Sequence, residues 1–367
     1  MLRGNVLEFR AMVLLQPSLD RTVDKARPRC LLDIDVDELP FPQEQKFRQQ
    51  QLAKWLYTKS VLSIDDMSDL SKDWREQLKT EFYVSPFVSF ERFPSRDHSV
   101  RYLFHLHDGK QTEAVYMPYQ GRKTVCISSM VGCPAACAFC ATGAYGFGRN
   151  LTSGEIVGQI TAIAALEGIS ALDIRNVVLM GMGEALLNYD NALAAVRRMI
   201  DARALDMSPR RITLSTVGLP KHIRRLADEG LNLVLALSLH APDEETRQMI
   251  IPSAHAHSIA DIMDALGYWQ ERLNRRISIE YTMLHSINDS LDQAEQLARV
   301  LRGLKAHVNL IPFNSWPGSD YVSSSPRRIE RFKRALEHHK LEVSVRFSRG
   351  QDAGAACGQL SLQHTEY

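Results

Sequence analysis

Cys133, Cys137 and Cys140 form a Cys-x3-Cys-x2-Cys run, and Cys126 lies seven residues ahead of it. Thiolates are soft ligands suited to iron–sulfur clusters or to zinc, so three of them in one short stretch predict a metal site. A cluster on three cysteines leaves one iron open to an outside ligand, whereas structural zinc wants a closed set of four, which Cys126 would complete. The residues alone leave both readings open. Of the other two cysteines, Cys30 stands alone and Cys357 sits near the end of the chain. With no secretion signal in view, such crowding suggests a metal or redox site more than a disulfide framework.

The elements that must hold this run are legible as a change of rhythm. From Thr124 onward, apolar strand candidates alternate with helical ones. The strands are Thr124 to Ser128, Asn176 to Met180, Ile212 to Ser215, Leu233 to Leu239, Ile277 to Met283 and Val308 to Ile311. The intervening helices are Ser153 to Leu166, Asn191 to Ala202, Pro220 to Glu229, Ile259 to Arg272 and Leu291 to Leu304; a helix from Ser325 and a strand from Glu342 to Phe347 close the series. Six βα units in succession predict an α/β fold with a parallel sheet, curled into a partial barrel or left open and doubly wound. Barrel enzymes place their chemistry at the carboxyl ends of the strands. The cysteine run follows the first strand, Gly183 and Glu184 the second, Ser215 ends the third, Ser238, Leu239 and His240 end the fourth, and Asn314 follows the sixth.

Upstream, residues 1–42 lack periodicity and contain Pro17, Pro28, Pro40 and Pro42, which predicts a tail or loosely packed arm. From Gln43 to Tyr83 a helical pattern with Phe47, Leu52, Trp55 and Leu56 on one stripe predicts a small accessory domain. Ser99 to His107 and Thr112 to Met117 flank Asp108-Gly109 and read as a hairpin, so the accessory unit spans 43–120, the barrel 121–360 and a tail 361–367. At 45% hydrophobic and 24% charged residues the chain is an ordinary globular one. No apolar run is long enough to span a bilayer, so the reading is cytoplasmic with no membrane partner. A net charge of +1 neither requires nor excludes nucleic acid. The pairs at Arg210, Arg224 and Arg275 and the run from Arg327 to Arg334 are phosphate contacts or solvated helix faces.

The cysteine run with its surroundings is similar to the radical S-adenosylmethionine superfamily. Cys126-Ile-Ser-Ser-Met-Val-Gly-Cys133, Phe139-Cys140-Ala-Thr-Gly and Arg149-Asn150-Leu151 resemble the RlmN and Cfr family of RNA adenine methyl synthases. So do Met180-Gly-Met-Gly-Glu184, Leu214-Ser-Thr-Val-Gly218, Ser238-Leu-His-Ala-Pro242, Asn309-Leu-Ile-Pro-Phe-Asn314 and Ala355-Ala-Cys-Gly-Gln-Leu360, an ordered set spanning about two thirds of the chain. The resemblance implies a partial (βα)6 radical-SAM barrel behind the helical accessory domain. It implies one 4Fe-4S cluster on Cys133, Cys137 and Cys140, with two S-adenosylmethionine molecules used per turnover as methyl donor and radical source. Gly183, Glu184, Ser215, Ser238, Leu239, His240 and Asn314 would bind that cofactor, although Ser215 or Asn314 taken singly is as readily a turn residue.

An adenine ring carbon is electron-poor, so direct displacement on the sulfonium methyl fails and a radical route is needed. The resemblance implies that Cys357 accepts a methyl group, which then loses a hydrogen to a 5'-deoxyadenosyl radical and adds to the base. Cys126 would resolve the adduct through a transient disulfide with Cys357. Glu113 would take the ring proton; it shares a strand face with Val115 and Met117, where burial would raise its basicity. The implied partners are RNA, as large-subunit (23S) ribosomal RNA and also transfer RNA, and an external electron donor such as flavodoxin. Met180-Gly-Met-Gly-Glu-Ala185 and Cys140-Ala-Thr-Gly143 look like Cfr, while Trp316-Pro-Gly318 looks like RlmN. The methylated carbon is thus C2 by preference, with C8 as the other choice. The competing reading is a non-catalytic RNA-binding protein with zinc on Cys126, Cys133, Cys137 and Cys140, which gives Cys357 no task.

Overall fold

The computed structural model describes residues 28–41 and 47–361. Its strands are β1 (Arg29–Cys30), β2 (Phe82–Tyr83), β3 (Phe87–Pro94), β4 (Val100–Leu106), β5 (Gln111–Tyr119), β6 (Arg122–Cys126), β7 (Met130–Gly132), β8 (Phe147–Asn150), β9 (Asn176–Leu179), β10 (Ile212–Thr216), β11 (Val234–Ser238), β12 (Ile277–Met283), β13 (Ala306–Pro312) and β14 (Glu342–Val345). The helices are α1 (Phe47–Ala53), α2 (Lys72–Glu81), α3 (Ala141–Tyr145), α4 (Ser153–Leu166), α5 (Tyr189–Ile200), α6 (Pro220–Asp228), α7 (Glu244–Ile250), α8 (Ile259–Leu273), α9 (Leu291–Val300) and α10 (Pro326–His338).

From β6 through β9, β10, β11, β12 and β13 to β14, each strand lies parallel beside the one before it. A doubly wound sheet reverses its strand order at a switch point. This order never reverses, and its two ends, β14 and β3, are not paired with each other. The result is a barrel wall left open, the α/β partial barrel that six βα units predict. Its strands bury Val177, Leu214, Leu235, Leu237, Ile279, Val308 and Leu310, as parallel strands covered on both faces must. The crossover helices begin where their caps dictate: Thr152 and Glu155 close a capping box on α4, and Ser290 and Gln293 do so on α9.

On the first edge, β3, β4, β5 and β6 add an antiparallel meander. The expected hairpin is β4–β5, and Gly109 adopts φ +78° in its turn, where a side chain would be strained. β3 has no counterpart in the sequence reading, because its outward residues are polar and its one fully buried end residue is Phe87.

Two local expectations differ from what is found. Residues 1–27 lie outside the described residues, but 28–41 are packed and not loose. Leu31, Leu32 and Leu39 are buried, Leu32 O accepts from Arg198 Nη1 at 2.6 Å, and Asp33 Oδ1 accepts from Gly154 N at 2.7 Å. The prolines hide a short strap whose backbone is satisfied by side chains instead of a ladder. On the accessory stripe Leu52, Trp55 and Leu56 are buried, whereas Phe47 is exposed with Arg48 over its ring. Leu52, Trp55, Leu56, Trp74 and Leu78 join one continuous apolar cluster with the barrel residues. The accessory helices therefore share their core with the barrel. No helix among the described residues is long and apolar enough to cross a membrane.

Candidate active site

The cysteine run lies on the loop between β7 and α3, at the carboxyl end of the barrel's first strand. Its shape is fixed by backbone bonds: Cys133 N to Gly146 O at 2.8 Å, Ala138 N to Ile250 O at 2.9 Å, and Cys140 N to Cys137 O at 3.0 Å. Gly143 packs so tightly that a Cβ there would sit 2.7 Å from Cys137 O. The three cysteines border one cavity of about 150 Å³ with Gly183, Glu184, Ser215, Ser238, His240, Asn314 and Cys357. Burial pushes the Cys133 thiol up to about 12 and Cys137 well above its ordinary value, and each is raised further by the other thiols. Such thiols release their protons only to a soft cation that compensates the charge.

A second cavity, about 270 Å³, adjoins the first and shares Cys140, Thr142, Met180, Gly181, Arg346, Cys357 and Gly358 with it. Cys126 borders only this second cavity. Cys126 is buried and Cys357 exposed, and both are free thiols. Burial, and then the charge of Cys357, push Cys126 up to about 12. Arg346 lines both cavities; the charge of Cys357 holds it in its cationic form against burial, with Glu280 and Cys126 adding to that effect. The Cys357 loop is tied to the cysteine run by Ala141 N to Gly358 O at 2.8 Å and Thr142 Oγ1 to Leu360 O at 2.7 Å. Asn314 Nδ2 donates to Cys357 O at 3.0 Å and to Ser348 Oγ at 2.8 Å, and Gln351 Nε2 donates to Asn314 Oδ1 at 2.8 Å. The amide of Asn314 thus holds the Cys357 loop in addition to facing the first cavity.

Among the other candidate ligands, Glu184 is buried and accepts from Val217 N at 2.7 Å and Leu186 N at 3.0 Å, while burial pushes its carboxyl up to about 7. Gly183 has φ +107°, and a Cβ there would lie 2.7 Å from Met130 Cβ. Ser215 Oγ and Ser238 Oγ lie 3.3 Å apart. His240 accepts from Thr282 N through Nδ1 at 3.0 Å, which leaves the ring hydrogen on Nε2; burial, and then Arg247, push it down to about 3. Leu239 departs from the group: its side chain belongs to the main apolar core and borders neither cavity. Strand alternation sends it away from the face that carries Ser238 and His240.

Glu113 is fully buried but borders neither cavity. Its carboxylate pairs with Arg101, whose Nε donates to Ala353 O at 2.7 Å, four residues before Cys357. Burial was the only influence visible in the sequence; the arginine supplies a compensating charge that opposes it. Sequence reading also missed Arg346 and Glu280. Glu280 Oε1 accepts from Asn309 Nδ2 at 2.9 Å, whereas Oε2 is buried beside the first cavity without a partner. A charged residue interrupting the apolar strand Ile277 to Met283 was the available signal.

The basic clusters are largely neutralised. Arg225 pairs with Asp190 at 2.8 Å, Arg328 with Asp289 at 3.3 Å and Arg334 with Glu330 at 2.8 Å, while Arg224 and Arg276 meet Asp264 and Glu342. For these residues the solvated-face reading applies.

An open parallel barrel with three cysteines on the loop after its first strand defines the class: a radical S-adenosylmethionine enzyme. The radical SAM superfamily model matches residues 127–299, and the ribosomal RNA large subunit methyltransferase N-terminal domain model matches residues 38–84. Over 91% of its length the chain is 55% identical to the probable dual-specificity RNA methyltransferase RlmN of Thermus thermophilus, covering 93% of that protein. Over 90% it is 41% identical to the dual-specificity RNA methyltransferase RlmN of Campylobacter fetus subsp. fetus, covering 98% of it. The crystal structure of a radical SAM methyltransferase from Sphaerobacter thermophilus matches with a TM-score of 0.87 at 37% identity, covering 92% of this chain and 100% of that one. The chain belongs to the RlmN family of dual-specificity RNA methyltransferases.

The cofactors of this family are a 4Fe-4S cluster and S-adenosylmethionine, and the site fits both. Three thiols facing one cavity can each take a separate iron of a cluster. Among the described residues no three His, Cys, Asp or Glu side chains converge as a single ion requires, so a zinc site of Cys126, Cys133, Cys137 and Cys140 is not formed. The partnerless Glu280 Oε2 and the Nε2–H of His240, both at the first cavity, offer an acceptor and a donor to a polar cofactor.

Proposed function

We propose that this protein methylates a carbon of an adenosine in 23S ribosomal RNA and in transfer RNA, at C2, with Cys357 as the methyl carrier. The observation behind this reading is that Cys357 borders both cavities, with the cluster-type cysteines around one and Cys126 beside the other. When bound to Cys133, Cys137 and Cys140, the cluster supplies the electron that cleaves S-adenosylmethionine.

The chain's own residues do the rest. The loop bonds from Asn314, Ala141 and Thr142 hold the Cys357 thiol at the junction of the cavities. Glu184, Ser215, Ser238 and His240 bind the cofactor in the first cavity, and the second admits the base. The Cys357 sulfur carries the one-carbon unit to the ring. Glu113 takes the ring proton, coupled to the loop through Arg101 and Ala353. Cys126 then attacks the Cys357 sulfur: an S–S bond forms, the bond from sulfur to the transferred carbon breaks, and its electron pair stays on that carbon, which takes a proton. The choice of C2 rests on Trp316-Pro-Gly318 and on the RlmN relatives.

The test is incubation of the anaerobically reconstituted enzyme with RNA, followed by mass spectrometry of the modified adenosines. The expected product is 2-methyladenosine from wild type and none from Cys357→Ala, which keeps its iron. Cys126→Ala should stall as a nuclease-sensitive protein–RNA adduct on a denaturing gel. Normal turnover by either cysteine variant refutes the assignment.

A further inference from the structure

We infer that Tyr119 and Phe347 form an aromatic platform at the rim of the second cavity that stacks an RNA base flanking the target adenosine. This rests on the proposed RNA substrate and assigns residues that take no part in the chemistry. Both side chains line the cavity that holds Cys126 and Cys357, yet Tyr119 is 58% and Phe347 76% exposed. Among the described residues Phe347 has no ring partner. Single exposed aromatics need no explanation, but two at the mouth of one reactive cavity form a patch with a direction.

The surroundings are built for a polyanion with bases. Arg349 lies over the Tyr119 ring with its guanidinium carbon 4.8 Å from the centroid. That guanidinium is held by Nη1 to Pro118 O at 3.0 Å and Nη2 to Asp97 O at 2.7 Å, so the tyrosine is braced by a fixed cation. Arg122, opposite Tyr119 in the β5–β6 register, is exposed and has no acidic partner among the described residues. A ring target must leave its stack to reach Cys357, which strips its neighbour of one stacking partner. Aromatic faces beside cations are the usual substitute for that lost contact, and phosphates either side of the base would meet Arg122.

The test is binding of a fluorescein-labelled single-stranded RNA, read by anisotropy, with and without an abasic site next to the central adenosine. The Tyr119→Ala/Phe347→Ala double variant should bind the intact RNA about five- to one-hundred-fold more weakly, the range that one lost base stack gives. Tyr119→Phe and Phe347→Tyr should bind as wild type. The abasic RNA should lose a similar factor against wild type and little more against the double variant. Equal abasic penalties in both proteins overturn the platform while leaving the RNA reading in place. Wild type that binds neither RNA overturns both. A dimer of the wild type that the double variant abolishes in sedimentation, with RNA affinity unchanged, gives the patch to a second copy and overturns the platform.

Discussion

Removing Arg101 should strand the Glu113 carboxylate in the core, and the cost should depend on pH in a way that identifies its cause. The side chains of the pair are 2% and 0% exposed, so neither charge reaches water. Breaking such a pair from one side costs about 3–5 kcal/mol. In Arg101→Met the stranded carboxylate has an escape, since it can take a proton. From an ordinary glutamate value of about 4.3, protonation at pH 7 costs about 3.7 kcal/mol, which caps the electrostatic part of the loss. The folded variant then holds its carboxyl above the unfolded value, so its penalty is fully present at neutral pH and shrinks by about 1.4 kcal/mol per unit as pH falls towards 5. The Phe93 ring, 4.1 Å from the Arg101 guanidinium carbon, adds about 1–2 kcal/mol that does not titrate. Glu113→Gln strands the arginine, which has no such escape, so its penalty should stay flat over the same range. The assay is anaerobic urea denaturation followed by tryptophan fluorescence at pH 7.5, 6.5 and 5.5. An Arg101→Met loss below about 1 kcal/mol at pH 7, or one that ignores pH, would refute the argument. Arg101→Met/Glu113→Leu should be milder than the sum of its single changes, because it leaves no buried charge behind.

Other outcomes follow from the same geometry. Cys133→Ala, Cys137→Ala or Cys140→Ala should each lose the roughly four irons per chain of a 4Fe-4S cluster, together with all cofactor cleavage; full iron content in any of them would remove the cluster assignment. Gly183→Ala, with a Cβ 2.7 Å from Met130 Cβ at φ +107°, should weaken S-adenosylmethionine binding at least tenfold in equilibrium dialysis, and unchanged binding would show that the loop gives way freely. His240 refuses a proton until about pH 3, whereas the unfolded chain binds one near 6.5. Stability should therefore fall by about 1.4 kcal/mol per pH unit below 6.5 and be unaffected by this group above it; in His240→Gln that part of the acid slope should vanish from the urea midpoints.

The residues nearest in sequence were the most readable. The three cysteines, the glycines beside Glu184 and the caps of α4 and α9 act over a few positions, where spacing alone fixes geometry. The βα alternation was equally plain, because strands covered on both faces leave uninterrupted apolar runs, as in Leu233 to Leu239. Boundaries of such runs, and the opening between β14 and β3, followed from topology without any knowledge of side-chain contacts.

Contacts between distant segments were a different matter. Nothing in the sequence pairs Arg101 with Glu113, places Arg346 with both Cys126 and Cys357, or spends the amide of Asn314 on the backbone of Cys357. These depend on where the meander, the barrel wall and the last loop meet. The strap at 28–41 was misread for the same reason: its leucines have meaning only against α4 and α5. The sequence by itself determined which groups carry the chemistry and the order of the strands that present them, since both are written in local pattern. Which charge answers which, and which thiols share a cavity, only the tertiary structure decided, because a buried ion or thiol is tuned by neighbours that the chain brings from a hundred or more residues away.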